Sequence, residues 1–147
     1  MTIKDRITSD LKDAMRARDQ KKLGTLRLIT AAVKQIEVDE RIVVEEDRML
    51  VILDKLAKQR KESITQFQAA GRDDLVAQEE YELEIIGQYL PEPLSDAEIT
   101  TLIEQAMTAL NAEKISDMGK VMAHLKPLLQ GRADMSKVSA LIKARLS

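Results

Sequence analysis

The 147-residue chain has no cysteine, no tryptophan and a single histidine, His124. The missing thiols exclude disulfides, thiolate zinc sites, iron–sulfur clusters and cysteine nucleophiles together. One imidazole excludes any metal site that needs two. Aromatic residues are confined to Phe67, Tyr81 and Tyr89, beside five glycines and three prolines. A sheet built on aromatic side chains, or a turn-rich all-β fold, lacks its material here. No apolar run approaches the roughly 18–20 residues that cross a bilayer, and Met1-Thr-Ile-Lys-Asp5 lacks the apolar stretch of a secretory signal. The expected setting is the cytoplasm, with no membrane partner.

What is present is a chain 44% apolar and 33% charged, enough for a folded soluble core. Apolar residues recur at helical spacing almost throughout, which predicts an all-α protein. A first helix carries Ile3, Ile7, Leu11, Ala14 and Met15 on one face and stops near Arg18. Asp19 is placed to cap a second, with Leu23, Leu26, Ile29, Val33 and Ile36 inward. A third uses Met49, Leu53, Leu56, Ile64 and Phe67, and Arg60 interrupts its stripe. Gly71 suits a left-handed helix end, and Asp73 starts a fourth helix. That helix places Val76, Glu79, Leu83, Ile86 and Leu90 on one side and Tyr81, Ile85 and Tyr89 on another, until Pro91-Glu-Pro93 stops it.

Ser95-Asp-Ala-Glu98 then reads as a capping box, in which hydroxyl and carboxylate satisfy each other's backbone donors. It opens a fifth helix with Ile99, Leu102, Ile103, Ala106 and Leu110. Ser116 is placed to cap a sixth carrying Met118, Val121, Met122 and Leu125, with Pro127 and Gly131 to break it. Asp134 opens a last helix with Val138, Leu141, Ile142 and Leu146 inward. The expected organisation is a multihelical N-terminal subdomain over residues 1–92 and a C-terminal three-helix subdomain over residues 95–147.

A net charge of −2 hides opposed regions. Residues 1–34 hold nine basic and four acidic groups, residues 73–98 hold nine acidic and no basic ones, and residues 99–147 hold seven basic and four acidic. Gly-rich phosphate loops, a Gly-x-Ser-x-Gly elbow and His-Glu-x-x-His are all missing, so an independent active site lacks its usual parts. The pairs Glu80/Glu84 and Glu79/Glu82 lie about one turn apart, but without a Glu-x-x-His partner they read as a solvated acidic face. His124 reads as an ordinary helix residue, and no cofactor, metal or small-molecule substrate is expected.

Basic residues are more suggestive. Arg16, Arg18, Lys21, Lys22 and Arg27 surround the first helix–helix turn, and Lys120, Lys126, Arg132, Lys137, Lys143 and Arg145 populate the C-terminal unit. Each set suits phosphate contacts as well as an ordinary helical surface. Few aromatics disfavour base stacking on single strands, which leaves shape and backbone recognition of folded RNA.

Several strings go beyond periodicity: Leu23-Gly-Thr-Leu-Arg-Leu-Ile29, Lys58-Gln-Arg-Lys-Glu-Ser-Ile64 with Phe67, Ala70-Gly-Arg-Asp-Asp-Leu75, Tyr89-Leu-Pro-Glu-Pro-Leu94, Asp117-Met-Gly-Lys-Val-Met122 and Gly131-Arg-Ala-Asp134. Together and in this order they closely resemble the YqeY family of the GatB/YqeY group over essentially the whole chain. The resemblance implies an all-helical fold and kinship with the C-terminal tail of the B subunit of tRNA-dependent amidotransferases. That tail helps hold the tRNA while the chemistry occurs in other domains. On this chain the resemblance points to Lys120 and Arg132 as phosphate contacts, with Lys126, Lys137 and Lys143 nearby. The family often has glycine where Ala123 and Met135 stand here. The same motif also fits a purely structural role, with Gly119 allowing close helix packing and Asp134 capping the last helix. Three readings stand: a non-catalytic tRNA-associated module, a protein-interaction adaptor using the acidic helix 73–90 and the basic faces, and a carbon–nitrogen ligase of the glutamine-dependent type.

Overall fold

A computed structural model describes residues 1–147 and shows an all-α protein of seven α-helices without a strand. They are α1 (Ile3–Ala17), α2 (Gln20–Glu40), α3 (Glu46–Ala69), α4 (Asp73–Gly87), α5 (Asp96–Leu110), α6 (Met118–Leu129) and α7 (Met135–Leu146). One 3-10 turn, Ile115–Asp117, precedes α6. The chain divides into two units, Met1–Leu90 with α1 to α4 and Pro91–Ser147 with α5 to α7.

In Met1–Leu90 the helix ends follow from short-range chemistry. The Thr2 hydroxyl accepts from Asp5 N, and the Asp5 carboxylate accepts from Thr2 N, which starts α1. Arg18 turns left-handed at φ 56°, and Asp19 accepts from Lys22 N to open α2. Gly71, at φ 69°, turns the chain from α3 into α4 in the backbone region that favours glycine. Asp73 lies inside the first turn of α4; the capping position before it belongs to Arg72, whose guanidinium pairs with Asp74 at 3.2 Å. Leu26, Ile29, Met49, Leu53, Ile86 and Tyr89 are the bulkiest enclosed side chains of this core. Met15, expected inward, is 51% exposed. Its neighbour Ala14 takes the inward position, and one residue along a helix rotates a side chain by about 100°.

Pro91–Ser147 encloses Ile99, Ile103, Val121, Leu125, Leu129 and Ile142. Both halves of the Ser95–Glu98 capping box form at the start of α5. Two expectations for α6 need correction. Ser116 lies exposed within the 3-10 turn, and Asp117 organises the entry instead, its Oδ2 accepting from Glu113 N at 3.0 Å and Lys114 N at 3.1 Å. Pro127 does not break the helix, which continues to Leu129. The ring is exposed and sits in the last turn, where the missing N–H removes one bond and the remaining turn still closes. The break comes at Gly131, φ 77°.

Candidate nucleic-acid interface

From Met118 to Ser147 the sequence holds six basic side chains against one carboxylate, Asp134. That carboxylate accepts from Ser136 N at 2.9 Å and caps α7. Packing of α6 on α7 therefore gathers a local excess of positive charge that nothing in the segment balances.

The structure separates the predicted contacts by what each already holds. Lys120 is exposed and lies 3.7 Å from Asp117. Asp117 is held below the usual carboxylate range first by its two backbone N–H donors and then by this lysine. Lys126, Lys137 and Lys143 are exposed and form no ion pair. Arg132 is half-buried and forms no ion pair: its backbone carbonyl accepts from Leu94 N at 2.8 Å, and its Nε donates to the Glu92 carbonyl at 3.4 Å. Arg145, the remaining cation, pairs with Glu104 of α5 at 3.0 Å.

Spacing decides which of these share a face. Lys120 and Lys126, like Lys137 and Lys143, are six residues apart, so each pair is splayed by about 120° around its helix. The structure thus presents three free lysines on two packed helices rather than a single row. His124 is exposed, one turn after Lys120. Gly119 has open space where a β-carbon would stand, so it serves no close helix contact within this unit.

Charge is used differently on α3 and α4. Arg60 Nε donates to Glu82 at 3.3 Å and lies 3.9 Å from Glu79, which explains its place in an otherwise apolar stripe. Glu82 is buried and also accepts from Gln78 Nε2 at 3.3 Å. The Glu79/Glu82 pair therefore faces a guanidinium, not solvent as the spacing alone suggested. Burial raises the Glu79 carboxyl above its usual value, the Glu82 charge adds to this, and Arg60 opposes both. No group of three or more His, Asp or Glu side chains is arranged to hold a metal ion.

The chain matches the model of the "Yqey-like protein" family over residues 4–146. It belongs to the YqeY-like family. Among its relatives is "Altered inheritance of mitochondria protein 41, mitochondrial" of Pyrenophora tritici-repentis, 30% identical over 141 residues that cover 94% of this chain and 77% of the relative. The protein of that name from Eremothecium gossypii is 39% identical over 94 residues, 63% of this chain and 51% of the relative. That from Saccharomyces cerevisiae strain YJM789 is 34% identical over 116 residues, 74% of this chain and 63% of the relative. The chain thus spans only about half to two thirds of the latter two relatives' length. The mitochondrial names overturn the cytoplasmic expectation. That expectation rested on a missing apolar secretory stretch, a criterion blind to amphipathic, arginine-rich organelle-targeting segments.

Proposed function

We propose that this YqeY-like chain is a non-catalytic accessory module that binds folded RNA of the tRNA class through α6 and α7. The observation that carries the reading is the set of three exposed, unpaired lysines, Lys126, Lys137 and Lys143, in a segment with one carboxylate already committed as a cap. Free cations release condensed counterions when they meet phosphates, whereas paired ones must first give up a partner. Gly119 adds support. A glycine on an exposed first helical turn weakens the helix, and its open side leaves room for a ligand backbone to approach closely. Arg132, which forms no ion pair, remains a candidate phosphate contact beside the three lysines, although its Nε already reaches the Glu92 carbonyl.

The resemblance to the amidotransferase tail suggests the RNA class, and amide transfer itself would belong to other domains. The experiment is a filter-binding titration of the purified full chain with total tRNA and with a DNA duplex of equal length, each at two salt concentrations. Total tRNA should bind more tightly than the duplex, with log affinity falling against log salt by about 0.7–0.9 per phosphate contact. Equal, weak binding to both would overturn the proposal. Glutamine-dependent ammonia release by the chain alone would overturn the non-catalytic part.

A further inference from the structure

α2 packs Leu23, Leu26, Ile29 and Val33 into its own unit and leaves its other side uncovered. That side carries Gly24, Leu28, Ala31, Gln35 and Val38 at alternating spacings of four and three, and Ile42 continues the series just past the helix end. All six are exposed, Leu28 at 47%, Val38 at 64% and Ile42 at 40%. This alternation is the seam of a coiled coil: residues spaced so keep facing one neighbouring helix over successive turns. A helical span of 18 residues corresponds to about 27 Å.

We propose that this face docks an amphipathic helix of a partner protein, one carrying carboxylates along its flank. Charge selects that occupant. Arg27 and Lys34 lie seven residues apart in α2, each one position before a seam residue, and Arg41 follows in left-handed backbone just past the helix end; all three are exposed without an ion pair. In a coiled coil the positions of Arg27 and Lys34 are the ones that read the partner's flanking charges, and Arg41 adds a third cation at the helix end. The opposite flank has no such row: Thr25 is buried, Ala32 is half-buried, and Asp39 accepts from Gln35 Nε2 at 2.9 Å. Gly24 has open space where a β-carbon would stand and no backbone need to be glycine, which suits close approach of a second helix backbone. A second copy of this chain paired antiparallel on the same face would set Arg27, Lys34 and Arg41 against themselves. RNA has no use for Leu28, Val38 and Ile42, whose side chains offer a phosphate nothing.

The test titrates the full chain with a labelled synthetic 21-residue helix bearing Leu on its seam and Glu on its flanks, and with the same peptide carrying Lys for Glu. The Glu-flanked peptide should bind about tenfold or more tightly than the Lys-flanked one. The pair Leu28→Glu and Val38→Glu should remove that binding, and R27E with K34E and R41E should reverse the preference. Thermal melting should stay unchanged, because these side chains are exposed. Binding should protect amides 24–42 from exchange. Equal affinity for both peptides, binding to neither, or indifference to the Leu28 and Val38 changes would overturn the proposal. So would light scattering showing a dimer that those changes make monomeric, or tRNA affinity that those changes abolish. Reversing Lys126, Lys137 and Lys143 should leave peptide binding intact, which separates this surface from the RNA reading.

Discussion

In Met1–Leu90 charged side chains tie helices to one another, whereas Pro91–Ser147 has a single ion pair between its helices. Glu37 accepts from Lys4 Nζ and Val44 N, both at 2.9 Å, Glu46 accepts from Ile3 N at 3.0 Å, and Arg60 joins α3 to α4 through Glu82. The Tyr89 hydroxyl donates to Asp10, while Arg6 lies 5.3 Å from the Tyr89 ring centroid and donates to the Gln88 carbonyl at 3.0 Å. Burial first, then the Asp10 bond and charge, push the Tyr89 phenol well above its ordinary range. The C-terminal unit encloses only apolar side chains, and its one ion pair between helices is Arg145–Glu104. With only apolar side chains in its core and one ion pair between its helices, this unit leaves Lys126, Lys137 and Lys143 available to an outside partner.

The strongest way to break that contrast is to truncate one core at a time. Tyr89→Ala should destabilise Met1–Leu90 by about 3–5 kcal/mol, and Leu125→Ala should destabilise Pro91–Ser147 by about 2–5 kcal/mol. Amide exchange should show each loss confined to its own unit, and equal loss in both units would refute independent cores. Arg60→Ala comes next at about 3 kcal/mol, because it strands the buried Glu82. Replacing Arg60 with Met and Glu82 with Leu together should restore most of this in urea unfolding. A double variant as unstable as the single one would show that the pair itself supplies the stability.

Gly119→Ala sharpens the contrast from the other side. With open space at its β-carbon, it should raise stability by up to about 1 kcal/mol while lowering tRNA affinity. A gain in stability with unchanged affinity would assign Gly119 no part in binding. The smallest effect belongs to Glu79→Gln. A carboxyl raised in the folded state has its charged form disfavoured by folding, so Glu79 weighs against the fold once pH passes its folded value. The variant should match or exceed the parent in urea midpoint at pH 7. Its advantage should fade below the ordinary glutamate range, where the parent's carboxyl is protonated in both states.

Most of the fold was legible because helix ends depend on neighbours in sequence. Asp19, Gly71, the Ser95–Glu98 box and Asp134 act within a few residues, and each does in the structure what its position implies. The misreadings arose where two local solutions compete or where the partner is distant. Ser116 and Asp117 are both capping types, and the backbone at 113 and 114 selects the aspartate. Arg60 makes sense only with Glu82, 22 residues on. At the candidate interface the sequence therefore names the cations without revealing which are engaged. The exposed seam of α2 is visible as spacing, but only the fold shows that its own unit leaves it uncovered.

The most direct measurement of the central claim is the salt dependence of tRNA binding by the full chain and by a variant with Lys126, Lys137 and Lys143 all changed to Glu. These side chains are exposed and unpaired, so folding should survive. Binding should weaken and the log–log salt slope should become shallower by about 2–3, one contact's worth for each lysine lost. An unchanged affinity and slope in the folded variant would contradict RNA binding through these lysines.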